Sequence, residues 1–366
     1  MKKNTFLTKL FALILIFSVC LVYTQERIAV IQDSQVRLLN SQTGEIIDPS
    51  FITLDSGTPK ALIQVEDEIW ITYQLADKIE RYDLDGNLMF SIDTGLDNIR
   101  GLAVVNGSEV WVCNAGDNNG APGNGIIRFD LNGNNLGSFL VTPQSDSPFD
   151  IIDNGNGEVY ISYIASNNID RRDYNGAFLG NIVEPDVLSF IEQIEIEQPG
   201  VILAAVFSSV NGGNQNGLYR ISETDGSVID YWSVGALRGV VKLGSGEILY
   251  SSGAGVSRLD PNTGVSVLID DASAQFFGRL NLTLGVSDFS DANFTYYPNP
   301  TKDLLILKHS ENISEIYISN LLGQKILHLQ LQTPKVELDL SPLAKGIYLV
   351  TVKINENEKT VKIMKE

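Results

Sequence analysis

The chain has 366 residues, 43% hydrophobic and 19% charged, with a net charge of −19. Charge of that sign repels nucleic-acid backbones and anionic lipid, so neither is an expected partner, and a soluble, well-solvated surface is. Both histidines, His309 and His328, lie near the C-terminus. The preceding three hundred residues therefore lack the parts for a Ser-His-Asp or Cys-His nucleophile pair, a histidine-ligated zinc or a histidine base. They also carry no Walker loop, HExxH helix or CxxC pair.

In chain order, Lys2, Lys3 and Lys9 flank an apolar run from Leu10 to Val22. At about 13 residues the run matches a secretory signal and falls short of the ~20 needed to span a bilayer. Residues 1–24 are read as a signal peptide, with cleavage near Thr24/Gln25. Cys20 raises a lipoprotein alternative, opposed by Val19 where lipobox processing takes a small residue. Removing the signal leaves Cys113 as the sole cysteine, so stability must come from packing and not from an internal disulfide.

From Glu26 to about Leu282 one unit recurs, with alternating apolar strands and a turn of the type Asp-x-Asn/Asp-Gly or a near variant. The turn glycines are Gly44, Gly86, Gly133, Gly176, Gly226 and Gly264. A period of roughly 40–50 residues with four strands each is the signature of a propeller. Tight hairpins require φ > 0 at these glycines, so the turn aspartates are read as structural and not as metal ligands. The expected body, 26–285, is an all-β, six-bladed propeller, with seven blades the alternative count. The first unit lacks an inner strand and the last is followed by an orphan strand, Phe276–Leu282, which can complete it and so hide both edges. Trp70, Trp111 and Tyr160 fall at equivalent second-strand positions and are read as inter-blade core, as is Cys113.

After a linker at 286–293 the character changes, and residues 294–366 carry four ordered motifs. These are Tyr297-Pro298-Asn299-Pro300 followed by Leu304–Leu307; Ile316–Gln324 with Gly323; Leu338–Val350 with Gly346 and Tyr348; and Lys359–Lys365. In this order the tail resembles the type A C-terminal sorting domain of the type IX secretion system. The resemblance implies an Ig-like β-sandwich recognised by outer-membrane machinery after passage of the inner membrane. It also implies removal by a sortase-like peptidase, with the body released or attached to surface lipopolysaccharide. Alternation assigns Leu304, Ile306, Ile316, Ile318, Leu338, Leu340, Ile347, Leu349, Val361 and Ile363 to a two-sheet core, and Gly323 and Gly346 to turns.

Candidate chemistry in the body lies where the inner strands begin. Lys60-Ala61, Arg100-Gly101, Phe149-Asp150, Glu192-Gln193, Arg238-Gly239 and Gly278-Arg279 align there, crowding both signs of charge into one ring at a channel mouth. Arg100 and Arg238 are the expected contacts for a small polar or anionic ligand or glycan, because a guanidinium offers a planar fork of donors. The following glycines are expected to let a ligand approach the backbone. Asp150 and Glu192 are expected to orient the arginines. Two long loops, 114–125 and 208–217, share that face. Asp117, Asn119 and Asp150 are weak candidate calcium ligands, alongside Asn118, but match no calcium-loop spacing. The leading function is a binding or scaffold module without a cofactor. The rival is a calcium-dependent lactonase or hydrolase, disfavoured by two ring arginines that would oppose a dication.

Overall fold

A computed structural model describes residues 24–210, 213–283, 294–320, 324–354 and 357–366. Residues 1–23 of the expected signal peptide, the expected linker and Gly323 fall outside the described residues. The chain divides into two compact units, one spanning Thr24–Leu282 and the other holding the C-terminal segment. Among the described residues every regular element is a strand.

The body consists of six four-stranded antiparallel sheets, each a meander from an inner to an outer strand. The inner strands are Pro59–Val65, Ile99–Val105, Pro148–Asp153, Ser189–Gln198, Leu237–Lys242 and Ala274–Thr283. The last of these heads the sheet that continues with Thr24–Gln32, Gln35–Asn40 and Ile46–Thr53, as the orphan-strand argument requires. The two ends of the body thus share one sheet, in a propeller-like arrangement.

The turn glycines take positive φ in all six units, at 72°, 84°, 87°, 87°, 69° and 71° in chain order. The aspartates before them cap the turn. Asp83 Oδ1 accepts the N–H groups of Asp85 and Asn87, and Asp130 and Asp173 repeat the pattern. Each Oδ1 is committed to backbone N–H groups and each Oδ2 to an asparagine side chain of the same turn, in keeping with the structural reading.

Trp70 and Trp111 are fully buried and Tyr160 nearly so. The one polar atom of each indole is satisfied within the repeat: Trp70 Nε1 donates to Glu68 at 3.0 Å and Trp111 Nε1 to Glu109 at 2.8 Å. Arg81 and Arg128 pair with those glutamates and lie over the indole rings. A buried aromatic with a polar handle needs such a partner. The Glu-x-Trp pattern is therefore one unit of packing and not a stacking platform.

The tail is one connected five-stranded sheet. The Leu304–Leu307 motif and the start of the Ile316–Gln324 motif lie on one strand, Leu304–Asn320, which pairs with Lys325–Asp339. The register breaks between Lys308 and Ile313, where no proline or glycine stops the strand. The break lets one strand serve two regions of the sheet: its first part pairs with Thr295–Tyr297 and its second with Gly346–Ile354. Six of the ten expected core positions are buried: Ile316, Ile318, Leu338, Leu340, Val361 and Ile363. Leu304, Ile306, Ile347 and Leu349 were assigned to the wrong face; Leu305, Leu307, Tyr348 and Val350 are buried instead. An unbroken apolar run carries no parity, and a one-residue slip exchanges the faces of a strand.

Candidate functional site at the channel mouth

Each of five inner strands carries a register shift near its start: at Pro59/Leu62, Ile99/Leu102, Pro148/Asp150, Ile191/Ile194 and Leu237/Gly239. A bulge re-aims the side chain it contains. Here the residues re-aimed are Lys60, Arg100, Phe149, Glu192 and Arg238, as the sequence alignment placed them.

The sixth position needs correction. A hydroxyl on the second strand of one sheet donates to the carbonyl of the next ring residue: Thr72 to Arg100 O at 2.6 Å, Ser162 to Glu192 O at 2.8 Å, and Ser251 to Gln275 O at 2.5 Å. The last bond makes Gln275 the ring residue, three positions before Gly278. A charged residue beside a glycine drew the alignment to Gly278-Arg279. Arg279 instead pairs with Glu26 and Glu195, further along the strands. The recurring Thr/Ser before the last residue of the second strand was the sequence signal that fixes this register, and Cys113 occupies the same position in the third sheet.

One ion pair spans the ring, joining the second sheet to the fifth. Lys60 Nζ lies 2.7 Å from Glu192 Oε2 and 3.0 Å from Gln275 Oε1, and sits over the rings of Phe149 and Phe276 at 4.7 and 4.8 Å. Lys60 and Glu192 are both buried, and burial lowers the lysine pKa and raises that of the glutamate against their mutual attraction. Glu192 thus belongs to Lys60 and does not orient the arginines.

Asp150 does not orient them either. Its Oδ2 accepts the N–H of Ile194 at 2.9 Å, tying one inner strand to the next, and burial pushes its pKa up to about 7. Gln193 does the same one sheet on, accepting from Val240 N at 3.1 Å. The glycines after the arginines serve this stitching: a Cβ at Gly101 would collide with the Asp150 carboxylate, and one at Gly239 with Ser251 and Gln193. They are required by neighbouring side chains, and the expectation that they admit a ligand is overturned.

What anchors the arginines is the next sheet. Arg100 Nη1 donates to Ser147 Oγ at 2.8 Å and Pro148 O at 3.1 Å; Arg238 Nη1 donates to Ser273 Oγ at 3.0 Å and Ala274 O at 3.3 Å. The two are matched in geometry and unequal in exposure. Arg100 is 5% exposed, stacks on Phe149 at 4.8 Å, and has its pKa lowered to about 10 by burial. Arg238 is only half-buried. Below the ring, the inner strands enclose a cavity of ≈ 320 Å³ lined by Ala61, Gln64, Leu102, Asp150, Gln193 and Phe276 among others.

The candidate calcium ligands do not converge. Asp117 is exposed on its loop, Asn119 donates to Asp93 O, Asn118 is bound to Asp97, and Asp150 lies in the ring. Among the described residues no group of three or more His, Cys, Asp or Glu is placed to hold a metal ion. The 114–125 loop is held by Asn114, whose Nδ2 donates to Gly116 O and Gly123 O. Asn211 and Gly212 of the second loop lie outside the described residues.

In the tail, the first and last motifs meet. Asn299 Nδ2 donates to Lys362 O at 3.0 Å while its Oδ1 accepts from Met364 N at 2.9 Å, so the carboxamide extends the sheet as a backbone unit would. Thr301 N then donates to Met364 O at 2.8 Å. Tyr348 OH closes on Ala344 O at 2.8 Å. Tyr297, Pro298 and Pro300 are exposed on this seam.

Comparison with known proteins assigns the two units differently. No curated protein matches the chain. Among solved structures, a protein of unknown function from Bacteroides caccae aligns at 12% identity over 70% of this chain and 98% of that one, with a TM-score of 0.52. A nidogen/laminin complex aligns at 12% identity over the same shares, with a TM-score of 0.56. PorZ, a surface component of the type IX secretion system of Porphyromonas gingivalis, aligns at 12% identity over 92% of this chain and 56% of that one, with a TM-score of 0.40. At such identities the first two speak to fold alone, and they support the propeller-like body. Residues 295–366 match the model of the secretion system C-terminal sorting domain. The tail is therefore a type IX sorting domain, and the chain is a cargo of that pathway, destined for the cell surface or the medium.

Proposed function

We propose that the body is a closed six-bladed ring acting as a binding or scaffold module, delivered by its tail and taking a small polar or anionic ligand at the channel mouth. The observation that carries this reading is the inequality of the two arginines. Each is pinned through Nη1, which fixes the guanidinium plane, but Arg100, whose Nε has no partner, is buried, whereas Arg238 keeps an accessible face. A pre-positioned fork is suited to a carboxylate or phosphate. Arg100, behind Phe149, supports the ring and adds field.

The calcium-hydrolase reading fits the donor set poorly. Glu192 is spent on Lys60, Asp150 on Ile194, and Lys60, Arg100 and Arg238 surround them. A calcium titration of the purified chain is expected to leave Tm unchanged, whereas a specific site would raise it by mass action.

Export ends, in this reading, with cleavage of the tail by a sortase-like peptidase and release of the body or its attachment to lipopolysaccharide. Deleting 293–366 is expected to leave a folded body in the periplasm, since the Ala274–Thr283 strand completes its sheet before the tail begins. Fractionation that finds the truncated protein outside the cell contradicts this.

A further inference from the structure

Beside the mouth, between the first and second sheets, lies a second pocket of ≈ 270 Å³ that shares Gln275 with the ring and Ser273 with the Arg238 anchor. Its walls are the Asp33-Ser34 turn, the Asp55–Pro59 segment leading into the inner strand, and Ser273 with Gln275. We propose that this pocket binds a neutral sugar. The argument does not depend on the arginine reading above.

The chemistry of the lining is that of hydroxyl recognition. The hydroxyls of Ser34, Ser56 and Thr58 and the carboxylate of Asp33 make no side-chain hydrogen bond within the described protein, and Gln275 uses its Oε1 on Lys60, leaving its Nε2 donors free. Acceptor-only, donor-only and dual groups thus face one space. A pyranose hydroxyl both donates and accepts and uses all three. Polar groups of this density on a folded surface are otherwise met by water, and a ligand that reproduces those bonds loses little on displacing it.

Charge decides between polyol classes. Asp33 and Asp55 flank the pocket, the Asp55 carboxylate being shared with Lys78 at 3.1 Å. Sugar acids and sulfated glycans meet repulsion there, and neutral hexoses and pentoses do not. The pocket takes about one ring, so the expected ligand is a terminal residue of a neutral glycan.

The test is saturation-transfer NMR and titration of the purified full-length chain against neutral mono- and disaccharides, uronic acids and amino sugars. The expected result is saturable binding of at least one neutral sugar. Ser34→Trp, an exposed position whose indole would fill the space, should weaken it by more than about tenfold with an unchanged melting profile. Asp33→Asn, which suits the positive φ of that turn, should weaken it several-fold. Arg238→Ala, which only releases Ser273 Oγ at the pocket wall, should change neutral-sugar affinity by no more than about twofold while weakening anion binding, which separates this site from the mouth. Binding of no neutral sugar, binding of amino sugars alone, or a neutral-sugar affinity that Ser34→Trp does not change overturns the proposal.

Discussion

Two charged regions of the ring at the channel mouth are built from the same repeat and use their charge in opposite ways. At the Lys60–Glu192 pair, two ions are buried, paired with each other and packed between aromatic rings. At Arg238, a guanidinium is held by Ser273 and the Ala274 carbonyl and still meets solvent. Equivalent backbone positions therefore do not imply equivalent work. Burial and the partner supplied by the next sheet decide whether a charge closes the ring or presents itself to a ligand.

The largest effect should come from breaking the buried pair unevenly. Lys60→Met or Glu192→Leu alone leaves an uncompensated buried charge and is expected to cost about 3–5 kcal/mol in urea unfolding. The double variant should fall within about 1 kcal/mol of the wild type, or above it. Additive losses would show that the pair stabilises the ring outright. Next in size is the contrast between the arginines. Arg100→Ala is expected to lose about 2 kcal/mol, leaving Ser147 and Pro148 O without their donor and a gap over Phe149, and Arg238→Ala less than about 1 kcal/mol. Equal losses would erase the distinction between the two arginines.

Much of this fold was legible in the sequence. The turn glycines and the Glu-x-Trp strands announce the repeat, because φ > 0 and full burial each admit few residue types. The orphan strand announced the shared sheet. The sixth ring residue was not legible, because glutamine beside phenylalanine has no likeness to Arg-Gly, and only the hydroxyl of Ser251 fixes the register. Nor was the pairing: Lys60, Arg100, Glu192 and Arg238 form a ring in sequence alignment, but which carboxylate meets which cation depends on reach across the channel. In the tail, motif order identified the domain, while the runs Leu304–Leu307 and Ile347–Val350 hid the parity of their strands.

A smaller effect concerns Asp150, which ties the inner strand Pro148–Asp153 to Ser189–Gln198. Its pKa is raised to about 7 from an ordinary 3.8, chiefly by burial. The folded state then holds a proton that the unfolded chain has released, so this group's contribution declines as pH rises from about 4 to about 7 and is level above that. Asp150→Asn keeps the acceptor for Ile194 N–H and removes the titration. It should flatten the pH dependence of Tm over that range and raise Tm by a few °C at pH 8. A variant with the wild-type pH profile would place the proton elsewhere.

The most direct test of the account is a ligand-observed titration of small carboxylates and phosphates against the wild type, Arg238→Ala and Arg100→Ala under identical conditions. The account predicts that at least one anion binds the wild type, that Arg238→Ala weakens it about 10–100-fold with Tm nearly unchanged, and that Arg100→Ala loses stability first. Equal anion affinity in the wild type and Arg238→Ala would contradict the assignment of the channel mouth as the binding site.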